Sequence, residues 1–300
     1  MPELRHDPLT DRLVIVAPER AARPHTAAVV LPPTDRRADD CPFCPGHESE
    51  TPPEVTRVGG GEPDRPGWKI RVVPNKYPIV ETHEVVIFSP DHDRSFARLE
   101  PDEAAEILGL LRDRADMHLG DGRAFVQVIV NHGDAAGASI AHPHAQLLAI
   151  DLVPPAVPET ITRLDVAGVD LVARDLAEAD DRTVVPGAAT AWCPYAATAP
   201  FELRIAHRST RARFDDATDA EIRVVAEATR EALVRLERVL GDVPYNLVVH
   251  TAPPGRAGNF HWYVEVTPRI ATVAGFEMGT GILVNTVPPE HAAVMLRDAQ

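Results

Sequence analysis

Lysine is nearly absent from this chain of 300 residues, which has only Lys69 and Lys76, so almost all positive charge is carried by arginine. The formal net charge is −15. That balance argues against a general nucleic-acid binder, because such proteins normally present a basic face. It leaves room for a local basic pocket, and therefore for a small phosphorylated partner.

Long apolar runs are missing as well. The run Val14-Ile15-Val16 near the N-terminus is flanked by Arg12, Glu19 and Arg20. A membrane-spanning helix needs about 20 consecutive apolar residues, and a signal peptide needs an apolar core of about 7–15. We therefore expect no membrane association, no signal peptide and a cytoplasmic location.

Cysteine is scarce, with three residues, two of them in Cys41-Pro-Phe-Cys44. One C-x-x-C and one odd cysteine do not make a disulfide framework, so metal binding is the favoured interpretation. C-x-x-C is a frequent half-site of tetrahedral zinc, and histidines would supply the remaining ligands. Two free thiols in a turn are the alternative. Cys193 is expected to be a buried packing residue.

The order of predicted elements occurs twice along the chain. The first half reads strand, helix, strand, strand over 84–88, 101–119, 124–130 and 142–150. The second half repeats this order over 201–205, 219–240, 245–250 and 260–267. His142 follows Asn131 by eleven positions, and His261 follows His250 by eleven positions. The pattern predicts an internal duplication, with halves at 1–154 and 196–300 joined by a Pro- and Ala-rich segment at 155–195.

This alignment sets His142-Pro-His144-Ala-Gln146 against His261-Trp-Tyr263-Val-Glu265. The central His of the first half is Tyr in the second, so the chemistry is expected in the first half. A neutral imidazole can attack phosphorus and form a reactive phosphoramidate. The small residues at 131–139 would let backbone N–H groups approach phosphate oxygens. Two packing or surface histidines on a strand are the alternative.

Several motifs resemble one family. They are Asn131 through Gly137-Ala-Ser139 to His142-Pro-His144-Ala-Gln146, with Cys41-Pro-Phe-Cys44, Asn75-Lys-Tyr-Pro78, Ser89-Pro-Asp-His92 and Gly275-Phe-Glu277 in the same order. Together they resemble the galactose-1-phosphate uridylyltransferases, the transferase branch of the histidine-triad superfamily. The resemblance implies an α/β (α+β) fold of duplicated histidine-triad-like units, with a largely antiparallel sheet and packed helices.

The resemblance also implies roles for individual residues. It makes His144 the nucleophile and Gln146 a contact to the phosphoryl oxygens. It implies substrate contacts by Arg20, Arg23, Asn75, Asn131, Gly137 and Ser139, the two arginines reaching across a homodimer interface. It implies one structural zinc ion bound by Cys41, Cys44, His92 and His142. A second metal site would use Glu159, His250 and His261, but Tyr263 stands where a third histidine would be needed, so this site is expected to be incomplete.

The implied reaction is ping-pong transfer of a nucleoside monophosphate, UMP first, from a nucleoside-diphosphate sugar to a sugar 1-phosphate. Gln146 cannot protonate a leaving group, and a sugar phosphate needs little protonation. The family's hexose-binding Lys and Gln are missing around Gly275, and Gly279-Thr-Gly281 resembles phosphorylases that use inorganic phosphate. A phosphorylase or hydrolase is therefore one alternative, and a non-catalytic nucleotide- or zinc-binding protein is another.

Overall fold

The computed structural model describes residues 2–22, 38–256 and 258–299. Its strands, in chain order, are β1 (Glu3–Asp7), β2 (Arg12–Val16), β3 (Thr56–Gly59), β4 (Trp68–Pro74), β5 (Thr82–Ile87), β6 (Phe125–His132), β7 (His144–Ile150), β8 (Thr183–Val185), β9 (Ala189–Trp192), β10 (Leu203–His207), β11 (Tyr245–His250), β12 (Tyr263–Pro268) and β13 (Leu283–Asn285). Its α-helices are α1 (Pro101–Gly120), α2 (Ala156–Ala167), α3 (Leu171–Ala177), α4 (Asp219–Leu240), α5 (Gly275–Thr280) and α6 (Pro289–Asp298).

Ten strands form one antiparallel sheet in the order β3-β4-β5-β7-β6-β11-β12-β10-β9-β8. This order is symmetric about the central pair β6–β11. Gln146 is paired with Ile129 as Glu265 is paired with Val248. Ile129 and Val248 are themselves direct partners across β6–β11, as a local twofold axis through that pair requires. The predicted duplication and the largely antiparallel α/β fold are confirmed.

Helices α1 and α4 cover one face of the sheet. Every second residue of the central strands points to them, because side chains alternate across a strand. The core of this layer comprises Val72, Val86, Val128, Leu147, Leu203 and Val264 from the sheet and Ile107, Leu111, Ile222, Val225 and Leu233 from the helices. Each such side chain contributes about 1.5–3 kcal/mol on full burial. The intervening residues face the other side, and several of them are polar.

The two long helices have clear termini. Helix α4 covers the predicted range 219–240, with a capping box of Thr218 and Glu221 at its start and Gly241 at its end. Helix α1 begins at Pro101, as predicted, and ends at Gly120, one residue beyond the prediction. Pro at the first turn loses no hydrogen bond, since that N–H has no partner within the helix.

Strand boundaries shift by up to three residues from the predicted ones. The predicted strand 142–150 begins at His144, because Pro143 has no N–H to donate to a ladder. His142 therefore lies in the bend before the strand. The equivalent strand of the second half begins at Tyr263 rather than at residue 260.

The segment 155–195 contains α2, α3 and the edge strands β8 and β9, so much of it is regular structure. The division of the chain at residues 154 and 195 stays a prediction. A small second sheet joins β1, β2 and β13, the last running parallel to β2. None of the helices in the described ranges is long and apolar enough to cross a membrane.

Candidate active site and metal centre

The polar face of the sheet brings together three of the predicted site residues. His144 is paired with Ile87 of β5, and Gln146 lies between Val85 of β5 and Ile129 of β6. Asn131 follows Ile129 by two positions. Because directly opposed residues of antiparallel strands share a face, His144, Gln146 and Asn131 all point away from α1 and α4.

His144 is held in one orientation. Its Nδ1 donates a hydrogen bond of 2.8 Å to the carbonyl oxygen of His142. Burial lowers the pKa of His144, and the nearby His83 adds to this effect, whereas the carbonyl of His142 opposes it. The ring is therefore neutral near pH 7 with its proton on Nδ1, which leaves the lone pair on Nε2 for attack on an electrophile.

A second group surrounds the bend before β7. Cys41, Cys44, His92 and His142 are all buried, and their ligand atoms lie within 4.8 Å of one another. The Sγ–Nδ1 distances are 3.7 Å for Cys41–His142, 3.6 Å for Cys44–His142 and 3.3 Å for Cys44–His92. Tetrahedral zinc with Zn–S near 2.3 Å and Zn–N near 2.05 Å separates S from N by about 3.6 Å. The four residues can therefore hold one metal ion.

The hydrogen bonds around these side chains leave His142 able to bind a metal ion. Nε2 of His142 donates a hydrogen bond of 2.8 Å to the carbonyl of Ser89, so the Nδ1 atom that faces the cysteines is unprotonated. Burial lowers the pKa of His142 to about 4, and burial together with the neighbouring Cys41 raises the pKa of Cys44 to about 12. Both imidazole and thiol are thus neutral, and only a bound cation would favour the thiolate.

The candidate metal site and the predicted nucleophile His144 contact the same packing residue. Phe43, inside Cys41-Pro-Phe-Cys44, lies edge-on to His144 with ring centroids 5.3 Å apart and to His142 at 6.2 Å. A metal held by the cysteines would therefore fix both the bend before β7 and the ring that packs against His144.

Gln146 contacts a histidine that sequence analysis did not single out. Oε1 of Gln146 lies 2.9 Å from Nε2 of His83, which is buried at the start of β5. Asn75, a predicted nucleotide contact, has its Nδ2 3.3 Å from the same nitrogen, and its Oδ1 accepts from the N–H of Tyr77 at 2.8 Å. The predicted Asn75 and Gln146 are therefore neighbours, with His83 between them.

Asn131 is contacted from the second half of the chain. Nδ2 of Asn246 donates to Oδ1 of Asn131 and to the carbonyl of Ala136, both at 2.8 Å. Gly137 has φ of +87°, and a Cβ there would stand 3.9 Å from Nδ2 of Asn131. The loop thus turns tightly beside the amide, and Ser139 lies exposed on it.

Among the described residues, no hydrogen bond or ion pair joins Arg20, one of the two predicted arginines, to this group. Arg20 is exposed in the single 3-10 turn Pro18–Ala22, and its side chain makes no hydrogen bond or ion pair with another described residue. Arg23 falls outside the described residues. Phe276 and Met278 of α5 are 48% and 74% exposed, and α5 has no buried residue.

The second metal site does not assemble in the described part of the chain. Glu159 pairs with Arg163 on an exposed face of α2. Nδ1 of His261 lies 2.9 Å from Oδ2 of Asp170 instead. His250 stacks on Tyr263 at 4.5 Å. The only cluster of metal-ligand geometry among the described residues is the one around Cys41.

A buried guanidinium occupies the second half's polar face. Arg204 of β10 lies 2.5 Å from Asp7, 3.5 Å from Asp175 and 3.9 Å from Glu265. Its charge is balanced by acids from the N-terminal hairpin, from α3 and from β12. The sequence offered only a weak sign of this cluster, a single Arg between apolar residues of a strand.

The missed residues had a detectable pattern. His83 and Asn246 both stand on alternating strands at positions that share a face with the predicted polar residues. What the sequence does not show is which strands become neighbours, because β6 and β11 are more than a hundred residues apart.

Comparison with known proteins places this geometry in a family. Residues 91–298 match a family described as a domain of unknown function, DUF4921. The chain is 32% identical to ADP-glucose phosphorylase of Arabidopsis thaliana over 99% of its own length and 93% of the relative. It is 25% identical to galactose-1-phosphate uridylyltransferase of Thermotoga maritima over 100% of its length and 99% of that relative.

Solved structures agree. The crystal structure of the Arabidopsis ADP-glucose phosphorylase with bound ADP-glucose superposes with a TM-score of 0.86 and 31% identity, covering 99% of this chain and 98% of that one. A uridylyltransferase structure superposes with a TM-score of 0.76 and 26% identity, covering 100% and 98%. The chain is therefore a member of the galactose-1-phosphate uridylyltransferase family in the histidine-triad superfamily, and its residues 91–298 form a DUF4921 domain.

Proposed function

We propose that this enzyme transfers a nucleoside monophosphate from a nucleoside-diphosphate sugar to inorganic phosphate, with ADP-glucose as the first substrate to test. One observation carries the proposal. His144 has Nδ1 bound to a backbone carbonyl and Nε2 free, on the same sheet face as the amides of Gln146 and Asn131. The choice of ADP-glucose is supported by the similarity to the Arabidopsis phosphorylase.

In the first half-reaction, Nε2 of His144 attacks the α-phosphorus. The N–P bond forms as the bond from phosphorus to the bridging oxygen breaks, and the sugar 1-phosphate leaves with the electron pair. Gln146 and Asn131 donate N–H groups to the α-phosphoryl oxygens, where negative charge accumulates in the transition state. Since the leaving group is a stable anion, the site needs no general acid at position 146.

In the second half-reaction, an oxygen of inorganic phosphate attacks the same phosphorus. The O–P bond forms, the N–P bond breaks, and the electron pair returns to Nε2 of His144. The products are a nucleoside diphosphate and the neutral imidazole with which the cycle began. The hydrogen bond from Nδ1 to the carbonyl of His142 keeps the ring in place through both steps.

The acceptor of the nucleotidyl group distinguishes the two activities found in this family, since it is inorganic phosphate in one and a hexose 1-phosphate in the other. Inorganic phosphate is favoured by Gly279-Thr-Gly281 and by the absence of Lys and Gln side chains around it, where uridylyltransferases hold the hexose. Hexose 1-phosphate as acceptor and UMP as the transferred group are favoured by the similarity to the uridylyltransferases. Each missing phosphate-binding side chain lowers affinity about tenfold to a hundredfold. Their absence should therefore weaken the binding of a hexose 1-phosphate more than the binding of inorganic phosphate.

The test has two stages. Mass spectrometry after incubation with ADP-glucose, UDP-glucose or GDP-glucose identifies the nucleotide bound to the protein. The isolated nucleotidyl-enzyme is then offered inorganic phosphate, glucose 1-phosphate or galactose 1-phosphate. We expect the AMP adduct and discharge by inorganic phosphate. A UMP adduct that is discharged by galactose 1-phosphate and not by phosphate would identify a uridylyltransferase instead.

For the metal, we propose one structural Zn²⁺ bound by Cys41, Cys44, His92 and His142. When bound, zinc supplies no chemistry to the phosphorus and stabilises the bend before β7. Elemental analysis of protein purified without chelators should find one zinc per chain. Cys44→Ser should lose the metal and lower Tm, whereas the control Cys193→Ala should keep full zinc. Full zinc in Cys44→Ser would contradict this assignment.

We further propose a homodimer in which Arg20 serves the partner's site. Its exposed side chain and the exposed apolar residues of α5, together with Tyr77 and Ile79, are available for a second copy. Mixing two inactive variants tests this arrangement. Arg20→Ala combined with His144→Asn should recover activity, since a mixed dimer contains one site with both residues intact. No recovery in a mixture that sedimentation shows to exchange subunits would mean that Arg20 acts within its own chain.

A further inference from the structure

The amides of Gln146 and Asn131 must present one particular end to the substrate. A carboxamide has an accepting oxygen at one end and a donating NH₂ at the other. Phosphoryl oxygens accept hydrogen bonds, so only the NH₂ end stabilises them. This requirement rests on the proposed function, in which both amides face the α-phosphorus. The structure shows what holds each amide in that orientation.

The orientation of the Gln146 amide depends, through His83, on the backbone N–H of Ile79. Its N–H, which can only donate, lies 3.4 Å from Nδ1 of His83. Burial lowers the pKa of His83, so the ring carries one proton. With Nδ1 accepting, that proton is on Nε2, and it is donated over 2.9 Å to Oε1 of Gln146. The NH₂ of Gln146 is then free for the substrate.

The NH₂ of Asn75 faces the same nitrogen of His83. Its Nδ2 lies 3.3 Å from Nε2, and this contact would be a hydrogen bond only if the proton of His83 were on Nδ1. The shorter 2.9 Å contact with Oε1 of Gln146 and the N–H of Ile79 beside Nδ1 both favour the proton on Nε2. Oδ1 of Asn75 accepts from the N–H of Tyr77 at 2.8 Å, so among the described residues Oε1 of Gln146 is the acceptor that faces this proton.

The orientation of the Asn131 amide depends, through Asn246, on the backbone carbonyl of Ala136. Its carbonyl, which can only accept, lies 2.8 Å from one end of the Asn246 side chain, so this end is the NH₂. The same nitrogen lies 2.8 Å from Asn131, whose facing atom must be its oxygen. The NH₂ of Asn131 is left on the side of Gly137.

We propose that His83 and Asn246 are positioning residues for the amides of Gln146 and Asn131. A backbone N–H orients the protonation of His83, and a backbone carbonyl orients the amide of Asn246. Through these two side chains, Gln146 and Asn131 both present their NH₂ groups to the phosphoryl group. Neither His83 nor Asn246 touches the reacting atoms. Asn246 acts from the second half of the chain, across the central pair of strands. Each acts only through one amide, and this property can be measured.

The first experiment does not depend on activity. Long-range ¹H–¹⁵N spectra of the free protein report which nitrogen of a histidine carries the proton, with His83→Gln supplying the assignment. We expect His83 to be neutral with the proton on Nε2. A proton on Nδ1, or on both nitrogens at pH 7, would overturn the proposed orientation of Gln146.

The second experiment is a pair of double-mutant cycles on the rate of nucleotidylation by ADP-glucose. His83→Ala and Gln146→Ala should each slow the reaction about tenfold to a hundredfold. The double variant should be no slower than Gln146→Ala alone, because His83 has no other route to the reaction. The same pattern is expected for Asn246→Ala with Asn131→Ala. Multiplying effects in either cycle would show a purely structural role for that partner.

A conservative variant provides a rescue. His83→Gln keeps a donor near Oε1 of Gln146 and should recover part of the rate lost in His83→Ala. If the rate does not recover, the proposed positioning role of His83 is wrong. The two proposals also fail separately. If the wild-type protein forms no nucleotidyl adduct, the proposed function is wrong, and the tautomer of His83 still decides whether its proton orients Gln146.

Discussion

Strands β7 and β12 occupy equivalent places in the two halves of the sheet but carry opposite chemistry. On the polar face, β7 presents His144 and Gln146, while β12 presents Tyr263 and Glu265. On the neighbouring strands, the partner of Gln146 is Val85, whereas the partner of Glu265 is Arg204. The positions on and beside β7 thus carry neutral groups, whereas those on and beside β12 carry charges.

The consequence is a difference in what remains available to a ligand. In the first half, the hydrogen bonds to Oε1 of Gln146 and Oδ1 of Asn131 each occupy only one end of an amide, and the NH₂ end remains available. In the second half, Arg204 is buried beside the carboxylates of Asp7, Asp175 and Glu265. These charges interact with one another inside the protein, so they contribute to the fold rather than to ligand binding.

The largest effect should come from removing the nucleophile. His144→Asn should reduce nucleotidyl-enzyme formation at least about a thousandfold, because the amide of asparagine has no nucleophilic lone pair comparable to that on Nε2 of His144. The matched change in the second half, Tyr263→Phe, should leave the rate unchanged. Quantitative mass spectrometry of the adduct over time measures both, and an adduct formed by His144→Asn at the wild-type rate would refute the assignment.

Removing the buried cation of the second half should act on stability. Arg204→Met leaves the buried Asp7 without its cationic partner, while Asp175 keeps Arg182, and should lower the free energy of unfolding by about 3–5 kcal/mol. The control is Arg223→Met, which breaks an ion pair with Asp102 whose side chains are 59% and 85% exposed. That change should cost less than about 1 kcal/mol. Urea unfolding compares them, and equal losses would mean that Arg204 is screened as a surface residue is.

Copying the second half into the first should damage the site. Gln146→Glu introduces the carboxylate found at Glu265, but its strand partner is Val85 rather than an arginine. The unpaired charge would repel the α-phosphate, so nucleotidylation should fall about a hundredfold or more, below the rate of Gln146→Ala. Rates under single-turnover conditions test the order, and a variant faster than Gln146→Ala would show that charge at this position is tolerated.

The smallest effect compares the capping of α1 and α4. Burial raises the pKa of Glu221, but donors from Thr218, Ser209 and Arg211 outweigh it and lower this pKa to about 2. Glu221→Gln should therefore cost about 1–3 kcal/mol at pH 7. In α1 the equivalent Glu103 is 41% exposed, so Glu103→Gln should cost less than about 1 kcal/mol.

The pH dependence of this pair has a defined sign. The folded-state pKa of Glu221 is below its ordinary value of 4.5, so its contribution is complete above pH 4.5 and is lost as pH falls toward 2. The difference in unfolding free energy between wild type and Glu221→Gln should shrink between pH 7 and pH 3. A constant difference over that range would show that the charge of Glu221 is not what stabilises the helix.

Sequence patterns were sufficient for the eight elements of the duplicated units and for the order of the motifs, whereas α2, α3 and the edge strands were not predicted. The range of α4 followed from apolar spacing and from Gly241, and the four residues of the candidate metal site followed from motif resemblance. The contacts of His83 and Asn246 could not be predicted, because they depend on which strands become neighbours and on which end of an amide faces which atom. Asp170 in place of Glu159 beside His261 was missed for the same reason, since α2 and α3 are both candidates until the chain is folded.

The direct pairing of Ile129 with Val248 gives the two units the geometry of a twofold dimer interface. A chain with only one of the two units would expose β6 as an unpaired edge, and the simplest partner for that edge is β6 of an identical chain around a twofold axis. The present sheet has the arrangement of such a dimer fused into one polypeptide. In a single polypeptide the two units can differ in sequence, and here Tyr263 stands in the place of His144 while Asn246 contacts Asn131 of the other unit.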